Sequence, residues 1–116
     1  MRTKEEQMAI ASTIIEQLGG HKFIVMTGAR DFIASGRDDD LPGVAFRIPG
    51  TLTKNRINRV RVLLDHTDTY IVSFWVCRRQ KDVHKPSMKL ISKHDMIYDD
   101  MLQPLFTRET GLTTRL

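Results

Sequence analysis

A period of two runs through the middle of the chain. In "INRVRVLL", Ile57 to Leu64, extended backbone sends Val60, Val62 and Leu64 to one side and Ile57, Arg59, Arg61 and Leu63 to the other. Burying the valines turns both arginines outward. "TYIVSFWVC" is apolar on both sides: Tyr70, Val72, Phe74 and Val76 alternate with Ile71, Ser73, Trp75 and Cys77, the pattern of a central strand covered on both faces. A partner chain or the segment after Arg79 would supply the second cover. "VAFRI", closed by Pro49-Gly50, predicts a further strand, and "HKFIVMT" with "RDFIAS", parted at Gly28-Ala29, predicts a hairpin ahead of it. "DHTD" joins two of the strands as a turn, because Asp and Thr side chains bond their own backbone there.

The two ends follow a helical period. In "TKEEQMAIASTIIEQLGG", Thr3 and Glu6 have capping-box spacing, Gly19-Gly20 supply a stop, and Met8, Ala11, Ile14, Ile15 and Leu18 form a stripe to bury. "SKHDMIYDDMLQPLFTRETG" predicts a second helix. Ser92 or Asp95 would cap it, Ile97, Met101, Leu102, Leu105 and Phe106 would face the core, and Gly111 would end it. Pro104 lacks an amide proton, so a kink or break is expected between Asp100 and Gln103. The basic, proline-containing "RRQKDVHKPSMK" predicts a loop leading into a short edge strand from Met88 to Ile91. The acidic "GRDDDLPG" predicts a solvated loop without the ligand spacing of a calcium site. Together these elements predict an α+β domain: an antiparallel five- to six-stranded sheet, joined as a meander, with an N-terminal and a C-terminal helix packed on one face.

Composition adds little to the pattern: 116 residues, 41% hydrophobic and 28% charged, suit a single domain spanning 1–116. The apolar runs are far shorter than the ~20 residues of a membrane helix, and "MRTKEEQ" lacks the apolar core of a signal peptide, so a cytoplasmic protein is expected. The lone Cys77 has no internal disulfide partner and is expected to act as a small buried hydrophobe.

Charge changes the picture more. Residues 51–93 hold ten Lys and Arg against three Asp, whereas residues 1–50 hold six bases against seven acids and residues 94–116 two against four. A basic middle lies between mildly acidic ends.

Signatures of catalysis are missing from this sequence: it has no phosphate-binding glycine loop, no dinucleotide fingerprint, no H-E-x-x-H and no zinc-spaced cysteine pair. In "HDMIYDD", a helix would bring Asp95 over Asp99 and His94 over Tyr98, but aspartates in a first helical turn are better read as solvated partners of the helix dipole. His21, His66 and His84 lie beside turns or in a polar loop, without a second ligand at a metal spacing. No enzyme, cofactor or metal is expected.

The segments "IVMTGARDFIAS", "RVRVLLDHTDTYIVSF" and "YDDMLQPLFTRETGL" together resemble a family of small uncharacterised proteins of tailed bacteriophages and prophages, over most of residues 20–112. The family carries no agreed activity to transfer. Its members tend to continue one strand directly into the next where this chain inserts "CRRQKDVHKPS". The resemblance implies a phage-type accessory protein acting in the cytoplasm of a host cell.

The expected partner is nucleic acid. Arg59 and Arg61 would stand about 7 Å apart on an outward face, close to the spacing of successive phosphates. Arg56, Arg78, Arg79, Lys81 and Lys85 would extend that basic surface, and Tyr70 or Trp75 would offer a base a stacking platform. The alternative is a module that inhibits or redirects a host protein through the second face of the sheet; the sequence does not separate this from homodimerisation.

Overall fold

The computed structural model describes residues 3–35, 41–78 and 87–114. Helix α1, Lys4–Leu18, starts where Thr3 Oγ1 accepts the Glu6 amide at 3.1 Å and ends at Gly19, whose φ of 130° breaks the helical path. Ala11, Ile14 and Leu18 are buried as the period required, but Met8 is 53% exposed, because burial begins only in the second half of the helix.

The chain then turns directly into a second helix, α2, Gly20–Thr27. This corrects the expected strand "HKFIVMT". A strand would have put Phe23, Val25 and Thr27 on one face. The helix instead joins Phe23 and Thr27, four residues apart and both buried, and leaves Val25 65% exposed. Gly19 and Gly20, both at positive φ, provide the corner that makes a second helix possible.

Five antiparallel strands follow in spatial order one to five: β1 Arg30–Ser35, β2 Gly43–Arg47, β3 Arg59–Leu64, β4 Tyr70–Arg78 and β5 Ser87–Ile97. The meander is as expected, except that residues 21–27 are helical and give β1 no strand to pair with on its other edge. The short edge strand expected at Met88 to Ile91 is an eleven-residue one. It takes in Ser92 to Ile97, which were expected to open a helix. Its register slips twice, opposite Phe74/Trp75 and opposite Tyr70/Val72, and these irregularities erase the period of two that would have marked it. The final helix is correspondingly short: a 3₁₀ turn, Asp99–Met101, then α3, Leu102–Thr110. Pro104 therefore lies in the first turn of α3, where no amide bond is required of it, and the expected break falls just ahead of it.

The helices and the inward face of the sheet enclose one core. Val60, Val62, Phe74 and Leu105 share it with Ile14, Phe46 and Phe106. Helices α2 and α3 end in the same local sequence, "FIVMTGA" and "FTRETGL". In each, the Thr hydroxyl donates to the Phe carbonyl four residues back, at 2.6 Å from Thr27 and 2.7 Å from Thr110. The same oxygen accepts the amide two residues on, from Ala29 or Leu112, at 3.2 Å. The intervening glycines, Gly28 and Gly111, take the left-handed conformation with φ of 74° and 78°. The rings of Phe23 and Phe106 meet edge to face at 5.1 Å, so the two helix ends converge on one point of the core.

Of the three expected loops, one is described in full. "DHTD" is the expected turn: Thr67 donates to Asp65 Oδ2 at 2.9 Å and the Asp68 amide to the Asp65 carbonyl at 3.1 Å. Arg37 to Asp40 of the acidic loop, and Arg79, Lys81, His84 and Lys85 of the basic one, lie outside the described residues.

Candidate functional site

With principal extents of 38 × 37 × 23 Å, the domain has the depth of one sheet and one helical layer. Among the described residues the helices lie on the inward face only. The outward face is set by strand parity. One cross-strand row runs Arg30, Arg47, Arg59, Trp75, Leu90, and the next runs Ile33, Ala45, Arg61, Ser73, Lys93.

Local structure fixes the parts of this face. A bulge at the start of β1 gives Asp31 a φ of 56° and sends its carboxylate to Arg47, with Nη1 to Oδ2 at 3.4 Å. Both side chains are exposed, so the pair orients Arg47 more than it stabilises the fold. At the other end of the row, Asn58 continues the β3–β4 ladder with its side chain. Its Nδ2 donates to the Cys77 carbonyl at 2.9 Å and its Oδ1 accepts the Cys77 amide at 2.7 Å. That clamp holds Arg59 opposite Trp75. The indole Nε1 donates to Ser73 Oγ at 2.9 Å, two residues back on the same side of the same strand. Ser73 is only 6% exposed although it lies on a face without helices. Its cross-strand neighbours are Arg61 and Lys93, and its hydroxyl is taken by the indole.

The result is a shallow groove of about 440 Å³ lined by Ile33, Arg47, Arg59, Arg61, Trp75 and Met88, with Asp31 at its edge. Its rims are apolar, with Ile33 67%, Met88 48% and Leu90 44% exposed. Arg61 is exposed and Arg59 half-buried.

The residues expected to form one basic surface are divided between two. Arg59 and Arg61 face outward as the alternation required. Arg78 has the parity of Val76 and faces the opposite side, where it lines a second groove of about 600 Å³ together with Arg56, Asn58 and Thr53. Arg56 is carried there by a 3₁₀ turn, Lys54–Arg56, in which Asn55 and Arg56 both have positive φ. Lys54, the first base of the same stretch, donates to the Arg108 carbonyl at 3.2 Å near the end of α3. Of the two aromatic candidates only Trp75 is on the outward face. Tyr70 is buried on the other, its hydroxyl donating to Gln17 Oε1 at 2.5 Å. Burial pushes the Tyr70 phenol above its ordinary value and the Asp99 charge adds to this, while the Gln17 bond opposes them.

Sequence reasoning missed Arg47 and Lys93. The first was readable, because "VAFRI" buries Val44, Phe46 and Ile48 and so turns Arg47 outward. The second was hidden by reading residues 92–97 as helix. The same correction dissolves the "HDMIYDD" constellation, since His94 in β5 is not one helical turn from Tyr98. His94 Nε2 instead meets Glu109 Oε1 of α3, and its ring stands edge-on to Phe74 at 6.1 Å. Among the described residues no group of three His, Cys, Asp or Glu side chains is placed to hold a metal. Cys77 is half-buried at the end of the outward face, not enclosed in the core as expected. No described helix is long and apolar enough to cross a membrane.

Comparison with known proteins finds no matching family model, curated protein or solved structure.

Proposed function

We propose that the chain binds nucleic acid through the outward face of its sheet, Arg59 and Arg61 holding adjacent phosphates and Arg47 and Lys93 flanking them. The observation that carries this reading is the row Arg30, Arg47, Arg59. Like charges directly opposite one another weaken a sheet, and among the described residues Asp31 is the one acid ion-paired with this row. A polyanion laid across the row relieves that repulsion and releases its own counterions. Arg79, Lys81 and Lys85 follow β4 in the sequence and belong to its basic middle stretch. In this reading the protein is a phage-type accessory factor working in the host cytoplasm and carries out no chemistry itself.

The test is a fluorescence-polarisation titration of short DNA and RNA across a salt series. Phosphate contacts read no sequence, so affinity should depend steeply on salt and weakly on sequence. Changing Arg59 and Arg61 together to Glu should weaken binding by well over ~10-fold at low salt and flatten the salt dependence by about two counterions. Arg108→Glu, on the far side of α3, should change little. Absence of wild-type binding at ~50 mM salt overturns the reading. The exposed Ile33, Met88 and Leu90 around the same groove favour a second one, in which the face docks on a host protein and thereby inhibits or redirects it.

A further inference from the structure

Resting on that reading, we infer that the outward groove takes single-stranded rather than duplex nucleic acid, with one base stacked on the indole of Trp75. A phosphate track alone needs only cations. This face also sets its one tryptophan at the centre of the track, directly opposite Arg59 and one row from Arg61. The indole is pinned by Nε1 to Ser73, which is itself covered, and the Trp75 side chain is half-buried in the lining of the groove. Ser73 already takes the indole donor, so the ring is left to stack and the choice of base stays open. Leu90 pairs with Trp75 on β5, Met88 lines the same groove, and Arg59 pairs with Trp75 from β3, its Nη1 donating to the Asn58 carbonyl at 3.4 Å. The groove volume of about 440 Å³ is in the range of pockets that hold small ligands, which suits an unstacked nucleotide. A duplex keeps its bases stacked inside. Reading it requires an element that projects into a groove, and among the described residues this face presents strands and no helix.

The chain has a single tryptophan, so its intrinsic fluorescence reports on this position alone. Titrating the whole protein at ~50 mM salt with an oligothymidine of about ten nucleotides, and separately with a blunt duplex of the same length, tests the inference. The single strand should quench the fluorescence saturably and bind more tightly than the duplex. Trp75→Ala should lose roughly five- to 150-fold in single-strand affinity, the range of one stacked base, with an unchanged salt slope, and Trp75→Phe should recover much of the loss. If single strands bind with salt dependence yet leave the fluorescence unquenched, or Trp75→Ala binds them as wild type does, the stacking inference falls while the phosphate reading stands. Equal affinity for the duplex also overturns it. If neither nucleic acid binds, both readings fail together. The wild-type quenching measurement holds even if Trp75→Ala folds poorly.

Discussion

Phe74 is fully enclosed between the sheet and the helices, with the ring of His94 against its edge. Phe74→Ala should therefore cost about 3–5 kcal/mol, a large part of the ~5–15 kcal/mol that holds such a domain together, and denaturant unfolding measures it directly. Tyr70 makes a pH-dependent contribution. Its folded pKa lies above the ordinary value near 10, so its stabilising contribution is complete below that value and is lost as pH rises through the folded one. Unfolding midpoints measured between about pH 8 and 11 should fall less steeply for Tyr70→Phe than for wild type; equal slopes would show that the buried phenol contributes nothing to the alkaline loss. At this scale the sequence was legible wherever parity held. Val60, Val62 and Phe74 are inward and Arg59 and Arg61 outward for the reason the alternation implies. Arg56 and Arg78 were not legible as a separate pair, because charge along a chain does not say which side of a strand end it leaves from.

Elements were legible in proportion to the regularity of their period. Strands β2 to β4 keep it and were readable; β5 breaks it twice, and α2 is too short for a helical period to outweigh its β-branched residues. The signal that distinguishes α2 lies instead at its end, in the Phe-x-x-x-Thr-Gly sequence it shares with α3. Thr27→Val keeps the shape of the side chain but leaves the Ala29 amide and the Phe23 carbonyl without the hydroxyl that joins them. A loss of about 1–3 kcal/mol is expected from Thr27→Val or Thr110→Val, read from denaturant midpoints. A change of a few tenths would mean that the glycine alone ends each helix. Gly43 in β2 is the tightest backbone approach: a Cβ there would lie 2.0 Å from the Val62 carbonyl oxygen and 2.8 Å from Leu63 Cα. Neither is a flexible side chain. Gly43→Ala should force β2 away from β3 and lower the melting temperature by many degrees, and an unaltered melting temperature would contradict the β2–β3 register.

The described residues form a meander with helices on one face and, on the other, a groove lined by Arg47, Arg59, Arg61 and Trp75 with Asp31 at its edge. The α+β class and the meander followed from the sequence, as did the outward arginines. What did not was the way five strands bring Arg47, Arg59, Arg61, Trp75 and Lys93 from four separate segments onto one surface, since that depends on cross-strand register rather than on any local pattern. The central claim is that this surface is where nucleic acid binds, and amide chemical-shift mapping of the ¹⁵N-labelled protein tests it most directly. On addition of a short single-stranded oligonucleotide at low salt, the largest shifts should fall on Arg47, Arg59, Arg61, Lys93 and the Trp75 indole N–H, with the exposed side of α1 around Lys4, Ser12 and Thr13 unmoved. Shifts concentrated on the helical layer, or none at a severalfold excess of oligonucleotide, would contradict it.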